Sequence, residues 1–565
     1  MINKVELGSV NSKHISTPKA YVSRDLKQQP SFTGAEWLLK GIQKCEESPM
    51  INVAVLDLAT AIIPRTIFET FIGSKQKDEN GNATGERRLN LLGGFEALRR
   101  EGSGLLINCI IPSFIVMGVA KLLHKPVMGI FDRSSLATSW ANGDTISCVE
   151  KYYKAAGGAT KEDKAFNTLK SMFDDLEGVD GDISKGGLKK FKDIFANDDE
   201  YITALRNMAK NAVSENPTKG YASEMYQYMV QKGGVAENIR FVGEKGFFSS
   251  SLSHLCQSAG DLLHGIAKEG DHILSADDLS KYVSKAKKLV NVKSAAGLGI
   301  IIPLAIAAQP INRWITHKMA GKKGAPIYND DREHTISPEE KKKLTAQKFI
   351  AVPAMWAVAG LSMLMDRPSL KMFQFKNIFP TMDQARIISA ATFSSRLAAA
   401  EDSNELKENT IRDIATFSSF YFLGDYVAKG VATAIENKNS DGIKLINRLK
   451  VPKENANLLE RFWHWAKHTK MKSTDELSAI ADSAMRTKAK NLRAVCQLSN
   501  LAFSLLSLGV VIPLYTRTQT NKKQRQKAAE LAALNSDPRT TQTGSTTFTQ
   551  NLIKGNSGAF QSFFS

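Results

Sequence analysis

The chain has 565 residues and a mass of 62.0 kDa, enough for several domains. Its 75 Lys and Arg against 57 Asp and Glu give 75 − 57 = +18, with a pI near 9.4. A hydrophobic share of 42% and a mean hydropathy of −0.23 exclude a chain that is disordered throughout and a transporter that is almost all membrane. The five cysteines are too scattered for a disulfide scaffold or a zinc ribbon; they are Cys45, Cys109, Cys148, Cys256 and Cys496.

The N-terminal segment, residues 1–49, is polar and basic. It has no apolar run of the kind found in a cleavable signal peptide. Four later stretches are apolar enough to compete for a bilayer, although each is at the short edge of the ~17–25 residues that a membrane-spanning helix needs. These stretches are Leu105–Leu123, Ala295–Ile311, Phe349–Met365 and Leu501–Tyr515.

Each apolar stretch contains a proline after small or β-branched residues: Pro112, Pro303, Pro353 and Pro513. A proline inside a helix in water costs about 3 kcal/mol. Membrane helices tolerate it better, because neighbouring helices satisfy the freed carbonyl. The pattern therefore favours membrane helices, with buried core helices of a large soluble protein as the alternative.

Three further segments are amphipathic. Val53–Ile72 and Ile411–Ile435 carry charges among apolar residues, which predicts helices that pack on protein or lie at the membrane surface. Leu458–Lys472 combines Trp463 and Trp465 with lysines, a composition typical of the headgroup region, although core packing of the rings explains it equally well.

Charge is distributed unevenly along the chain. Residues 281–350 and 486–527 each carry a net charge of +9, whereas residues 160–280 carry −6. Basic residues beside apolar helices predict contact with anionic lipid, and the positive-inside rule places the basic connection, residues 312–347, on the cytoplasmic side. Nucleic acid is disfavoured as a partner because no Arg/aromatic interleaving or helix-turn-helix spacing is present.

The acidic segment 151–290, here called the insert, has helical apolar spacing and a loop with the sequence Asp180-Gly181-Asp182-Ile183. Asp-Gly-x-Ile is the centre of an EF-hand calcium loop, and a second helix–loop–helix follows around Glu269–Ser275. The region 165–285 therefore resembles a pair of EF-hands, which implies helix–loop–helix units. The ligands depart from the family pattern, since loop positions one, three and twelve are Leu176, Gly178 and Gly187. We predict capped acidic turns and no calcium site.

Catalytic motifs are absent from the sequence: it has no GxxxxGK[ST], GxGxxG after a strand, GxSxG or HExxH. Two histidine groups are candidates for metal ligands: His464 with His468, and His254 with Cys256, Asp261 and His264. The first has no carboxylate at a useful offset, and the spacings of the second do not place all four residues on one helix face. Charged residues crowd the approach to the first apolar stretch and could pair among themselves or bind lipid phosphate; they are Arg65, Arg87, Arg88, Glu96, Arg99, Arg100 and Glu101. We assign no catalytic, cofactor-binding or metal residue and expect no cofactor.

The predicted fold class is mainly α: a membrane-associated helical bundle with about four short proline-containing apolar helices and a soluble helical insert. The predicted segments are a polar 1–49, an amphipathic and apolar 50–150, the insert 151–290, membrane-associated helices 291–435, interfacial helices 436–490, a last apolar helix 491–520 and a basic, then low-complexity, disordered tail 521–565. The insert is expected on the same side as the basic connection.

The functional hypothesis is a non-enzymatic membrane scaffold that presents the insert to a protein partner. One alternative is a small-solute transporter or channel whose pore uses Asn108, Arg65 or Asp425. A second alternative is a large soluble helical protein that binds anionic surfaces. The sequence indicates no oligomeric state.

Overall fold

The computed structural model describes residues 49–72, 75–77, 83–87, 89, 91–124, 143–218, 220–243, 251–269, 276–320, 337–365, 373–375, 380–401, 403–438, 441–451, 453, 455–512 and 515. The polar segment 1–48, Pro513 and the predicted disordered tail lie outside these residues. Within them the chain is mainly helical, as the sequence predicted.

The α-helices, in chain order, are α1 (Pro49–Asp57), α2 (Ile63–Ile72), α3 (Leu91–Leu105), α4 (Ile111–His124), α5 (Gly143–Ala155), α6 (Lys161–Asp174), α7 (Phe191–Ile194), α8 (Asp199–Val213), α9 (Tyr221–Gly233), α10 (Leu252–Glu269), α11 (Ala276–Ala320), α12 (Pro338–Met365), α13 (Met382–Ala398), α14 (Ser403–Ser418), α15 (Gly424–Lys438), α16 (Leu458–His468), α17 (Thr474–Ser478) and α18 (Ser483–Ser504). Four π-helical turns interrupt or extend them: π1 (Leu58–Ile62), π2 (Leu106–Ile110), π3 (Ser419–Leu423) and π4 (Leu505–Val511).

A 3₁₀ turn spans Ile183–Lys185. The described strands are short: β1 (Lys75–Lys77), β2 (Ala83–Arg87), β3 (Leu176–Val179), β4 (Leu188–Lys190), β5 (Ile239–Phe241), β6 (Ile446–Arg448) and β7 (Thr469–Met471). All pairings are antiparallel, in sheets β1-β2, β4-β3-β5 and β6-β7. The β1-β2 pair lies within residues 73–90, a segment without apolar periodicity whose composition is typical of an exposed loop.

Four helices in the described residues are long and apolar enough to cross a membrane: Gly93–Ala120, Asp278–Met319, Pro338–Leu364 and Ser483–Val511. They overlap the four apolar stretches of the sequence, and each helix is considerably longer than its stretch because it begins well before it. The polar or charged turns at their ends continue the helix, and an apolar run alone does not reveal them.

Two prolines of the helical part, Pro64 and Pro112, lie beside π turns. Pro64 and Pro112 each follow a π turn by one residue, at the second position of α2 and α4. A proline has no N–H and crowds the carbonyl four residues earlier, and a local π adjustment accommodates this. Pro303 and Pro310 in α11 and Pro353 in α12 lie inside continuous helices.

Helix α11 joins the two main parts of the molecule. Its first turns carry Leu279, Val283, Ala286 and Val290 into the core of the insert, which also includes α5, α6 and α8–α10. Its later turns pack against α3, α4 and α13 through Leu298, Ile301 and Ala305. The helix has 45 residues, so it is about 68 Å long at 1.5 Å per residue.

The remaining long helices form one bundle, made of α1–α4, the second half of α11, α12–α15 and α18 with their π turns. α3–α4 runs antiparallel to α11, because Arg99 binds Asn312 while Val116 lies against Gly297. α13 is surrounded by its neighbours and presents small residues to them, including Ala385, Ser389 and Ala391. Small side chains of this kind allow helices to approach closely.

Candidate membrane surface and its buried charge network

Five charged residues form a chain of contacts inside the bundle, which we call the central ion network: Arg65, Glu101, Arg396, Asp413 and Arg412. Arg65 Nη1 lies 2.5 Å from Glu101 Oε1, and Glu101 Oε2 lies 3.0 Å from Arg396 Nη2. Arg396 Nη1 is 2.9 Å from Asp413 Oδ1, which is also 3.4 Å from Arg412 Nε. The network therefore ties α2, α3, α13 and α14 together.

Burial makes the contacts of the central ion network obligatory. Arg396 is 4% exposed and Asp413 is 1% exposed. A charge removed from water at this depth is tolerated only when it is paired, because its desolvation penalty is several kcal/mol. The sequence had indicated that Arg65 and Glu101 could pair within their crowded segment, and they do. It gave no indication of Arg396 and Asp413 as their partners.

A second polar cluster ties α3 to the end of α11. The Arg99 guanidinium donates to Asn312 Oδ1 at 2.8 Å and to the Thr316 hydroxyl. Asn312 Nδ2 donates to Ser103 Oγ at 2.7 Å, and Thr316 Oγ1 donates to Glu96 Oε1 at 3.1 Å. These contacts lie at the end of the bundle that carries the basic connection.

Arg313, the residue after Asn312 in α11, makes two ion pairs at that same end. Its Nη1 lies 2.8 Å from Glu401 Oε1 and its Nη2 2.5 Å from Glu405 Oε1. The connection between α13 and α14 is therefore held beside the C-terminal part of α11. Lys341, Lys342 and Lys343, in the first turns of α12, are exposed.

The outer surface of the bundle is apolar. Phe349 is 77% exposed and Leu361 61% exposed, although both are large hydrophobic residues. Others on this surface are Ile300, Ile306, Phe114, Ile350, Leu364, Leu506 and Val511. Contiguous apolar patches of this kind on a protein mark contact with lipid or with another protein.

The residues predicted to line a pore do not meet. Arg65 is in the central ion network, Asn108 accepts a hydrogen bond from Thr392 Oγ1 at 3.1 Å, and Asp425 is exposed on α15. Val53–Ile72 and Ile411–Ile435 pack in the bundle, where Leu56, Ile62 and Phe417 are buried. For these two segments the structure agrees with packing on protein.

The EF-hand-like loop of the insert is a β-hairpin. Asp180 pairs with Lys472 and, at 2.6 Å, with Lys189. Asp182 accepts from the backbone N–H and hydroxyl of Ser184 at 3.0 and 2.6 Å. Leu176 is fully buried in β3. The loop carboxylates therefore serve as ion-pair partners and caps, and the second loop lies mostly outside the described residues.

Residues 441–480 dock on this hairpin. Gly181, at φ +89°, donates its N–H to Asn447 Oδ1 at 2.8 Å and accepts from the Arg448 N–H at 2.7 Å. The backbone N–H groups of Ala236 and Glu237 both donate to Glu476 Oε1 at 3.2 Å. The positive φ explains the glycine, because it brings both backbone polar groups of residue 181 to the docked segment. We call these contacts, together with the Asp180–Lys472 ion pair, the insert latch.

Titratable groups of the insert latch are shifted in opposite directions. Burial alone would raise the pKa of Asp180, but the Lys472 and Lys189 ammonium groups outweigh it and hold that pKa below its ordinary value. Burial raises the pKa of Glu476, despite the backbone N–H groups of Ser473, Glu237 and Ala236 that favour the carboxylate.

The histidine groups singled out by spacing have structural partners. His264 Nδ1 lies 3.0 Å from the Ala212 carbonyl oxygen. The rings of His464 and His468 lie against each other, 4.8 Å between centroids. In the described part of the chain, no three His, Cys, Asp or Glu side chains gather as metal ligands would.

No protein-family model matches the chain, and no curated protein or solved structure is similar to it. What supports a function is therefore the geometry of this chain itself: an apolar outer surface, a buried charge network and a folded insert at one end of a long helix.

Proposed function

We propose that this protein is an integral membrane scaffold in which the bundle spans the bilayer and presents the insert, with its docked segment 441–480, on one face. The observation that carries the proposal is that α11 is one continuous helix from the insert to the far end of the bundle. Val290 lies in the insert core, and Asn312 lies in the polar cluster at the other end of the bundle. Asn312 is 22 positions after Val290 in α11, which corresponds to about 33 Å of helix, close to the ~30 Å hydrocarbon thickness of a bilayer.

This arrangement changes the expected topology. A single helix that enters from the insert and ends at the basic connection leaves these two parts on opposite sides, not on the same side as we expected from the sequence. With the basic connection cytoplasmic by the positive-inside rule, the acidic insert faces the other compartment. The sequence did not suggest this topology, because it did not reveal that 276–320 is one helix.

The scaffold role rests on the insert itself. Its core includes fully buried residues from α5 to α11, such as Val149, Phe173 and Leu255. A stable domain of this kind, held at a fixed distance from the bilayer, is suited to binding a protein partner.

Two treatments of the membrane fraction test the proposal. Carbonate and high-salt washes should leave the full chain in the pellet, and detergent should release it. In sealed vesicles, an impermeant lysine reagent should reach Lys192 and Lys210 of the insert from one face and Lys341–Lys343 from the other. Release by carbonate, or labelling of both groups from the same face, would contradict the proposal.

A solute transporter is the second candidate, favoured by one observation: the central ion network places charged groups between helices at membrane depth, where ionisable residues commonly mark transport paths. Solute flux in vesicles that is lost with Asp413→Asn and kept with Asp425→Asn would favour it. The pairing of the network residues with one another favours the structural role.

A further inference from the structure

The helix α16 has an apolar face that the protein covers only at one end. Leu458, Leu459, Phe462 and Trp463 follow the spacing of one helical face, which continues through Trp465 and Ala466. Trp465 and Ala466 pack on the bundle, whereas Leu458 is 85% exposed and Trp463 51% exposed. These two turns of the face are therefore at least half exposed among the described residues.

α16 is fixed to the bundle at a defined place. Lys429 Nζ of α15 donates to the Ala466 carbonyl oxygen at 2.8 Å, and Trp465 Nε1 donates to Thr433 Oγ1 at 3.2 Å. The Trp465 ring also lies 6.3 Å from that of Tyr426. Leu423, at the end of π3, lies one turn before Tyr426 and belongs to the exposed apolar surface of the bundle. The attached end of α16 therefore lies within about one helical turn of this exposed apolar surface.

The depth of this attachment is that of the insert-side boundary. Tyr421, two turns before Lys429, bonds Ser389 in the middle of α13. The segment that carries α16 is held to the insert, because Lys472 and Glu476 belong to the insert latch. α16 thus lies between the apolar surface of the bundle and the folded insert.

Charge on the segment matches an anionic surface. Residues 449–472 contain six Lys and Arg and two Asp and Glu, a net charge of +4. Arg461 and Lys467 lie on the polar side of α16, with Lys470 just after it. Apolar residues on one side and cations on the other are typical of helices that lie in the plane of a membrane.

We propose that α16 inserts its uncovered face, Leu458, Leu459, Phe462 and Trp463, into the anionic lipid leaflet on the insert side of the membrane. This inference rests on the proposed function, since the membrane is the one that the bundle spans. A headgroup-level anchor at this position fixes the distance of the insert from the bilayer, because the docked segment connects directly to α16.

Tryptophan quenching by lipid tests this on the full chain reconstituted in liposomes. The vesicles contain phosphatidylcholine, either alone or with phosphatidylglycerol, with lipids brominated in the upper part of the acyl chain. The emission of Trp463 is obtained as the difference between the wild type and Trp463→Phe, and that of Trp356, exposed on α12, as the difference from Trp356→Phe. We expect brominated lipid to quench Trp463 by about half and iodide to quench it far less, since the ring sits at the headgroup level.

Anionic lipid provides the second readout. Lipid quenching of Trp463 should be stronger with phosphatidylglycerol present, and Lys467→Gln with Lys470→Gln should remove that difference. Trp356 should be quenched equally in both vesicles, because the embedding of α12 does not depend on these lysines.

The two tryptophans separate the failures. Quenching of Trp356 without Trp463 would overturn the anchor and leave the proposed function intact. Quenching of neither would overturn both, and quenching of Trp463 alone would support a surface anchor on a chain that does not span the membrane. Protection of Trp463 from both lipid and iodide would show that protein covers the face, either a second copy or a partner, and would overturn the inference.

Discussion

In the insert, Phe173 and Leu255 are fully buried, and ion pairs such as Lys170 with Asp174 lie at the surface. In the bundle, Arg396 and Asp413 are buried, and Phe349 and Leu361 are exposed. The two regions share one chain and one long helix, yet they distribute polar and apolar residues in opposite ways. The insert has the distribution of a domain surrounded by water, and the bundle has the distribution expected if lipid surrounds it, as we propose.

The strongest test of this contrast removes one partner of a buried ion pair. Arg396→Leu leaves Asp413 with only the longer Arg412 contact and should destabilise the bundle by about 3–5 kcal/mol. The thermal midpoint of the purified chain in detergent would report it. The control is Asp425→Leu, which replaces an exposed carboxylate on α15 and should have little effect on the thermal midpoint.

A double variant, Arg396→Leu with Asp413→Leu, sharpens that test. It removes both charges and leaves Glu101 paired with Arg65, so it should be more stable than Arg396→Leu alone. A double variant that is no better than the single one would show that the pair does not carry the stability.

Truncation of a large apolar side chain should destabilise the protein in the core of the insert but not on the outer surface of the bundle. Leu255→Ala opens a cavity in the insert core and should cost about 2–5 kcal/mol. Phe349→Ala, which removes a larger but exposed side chain from α12, should leave the unfolding midpoint in detergent nearly unchanged. Equal losses at the two positions would contradict the inverted packing.

Adding a charge to each outer surface tests the surroundings directly. Ile300→Lys places an ammonium on the exposed apolar surface near the middle of the proposed spanning part of α11 and should cost about 2.5–3.5 kcal/mol of membrane insertion. Val242→Lys, at an exposed position of the insert, should stay within about 0.5 kcal/mol. The measurement is the carbonate-resistant fraction of each variant, and equal values would argue that water surrounds both regions.

The smallest expected effect is the pH dependence of the insert latch. The lowered pKa of Asp180 means that its contribution is present above the unfolded value of about 3.9 and is lost as pH falls through the folded value. Asp180→Asn should therefore flatten the acid-side loss of stability, and we expect a difference of about 1–3 kcal/mol at neutral pH.

Glu476→Gln is a matched variant whose effect on stability should change with pH in the opposite direction to that of Asp180→Asn. Its raised pKa means that its titration favours folding below the ordinary glutamate value, and this gain is lost as pH rises through the folded value. The stability difference between wild type and Glu476→Gln should therefore shrink with rising pH, whereas that for Asp180→Asn should grow. Slopes of the same sign in thermal melts across this range would contradict both assignments.

Sequence reasoning reached the helical class and the four apolar stretches because their signals are local: composition, run length and proline position. It did not predict that α11 is one continuous helix. The amphipathic pattern up to Val290 changes there to a uniformly apolar one, and this change indicated two separate elements. Nor could it pair Arg396 with Asp413 or Asn447 with Gly181, because these contacts depend on how distant segments pack.

The π turns have a consequence for how the length of this chain can vary. A π turn holds one more residue than the α-helical turn it replaces, and this extra residue is absorbed locally, so the helical faces before and after it stay aligned with their neighbours. A one-residue deletion within Leu106–Ile110 or Ser419–Leu423 would convert the turn to ordinary α-helix. The same deletion in the uninterrupted α13 would rotate every later side chain, including Arg396, by about 100° away from its partners. The π turns are therefore the positions at which these helices can lose a residue and keep their packing.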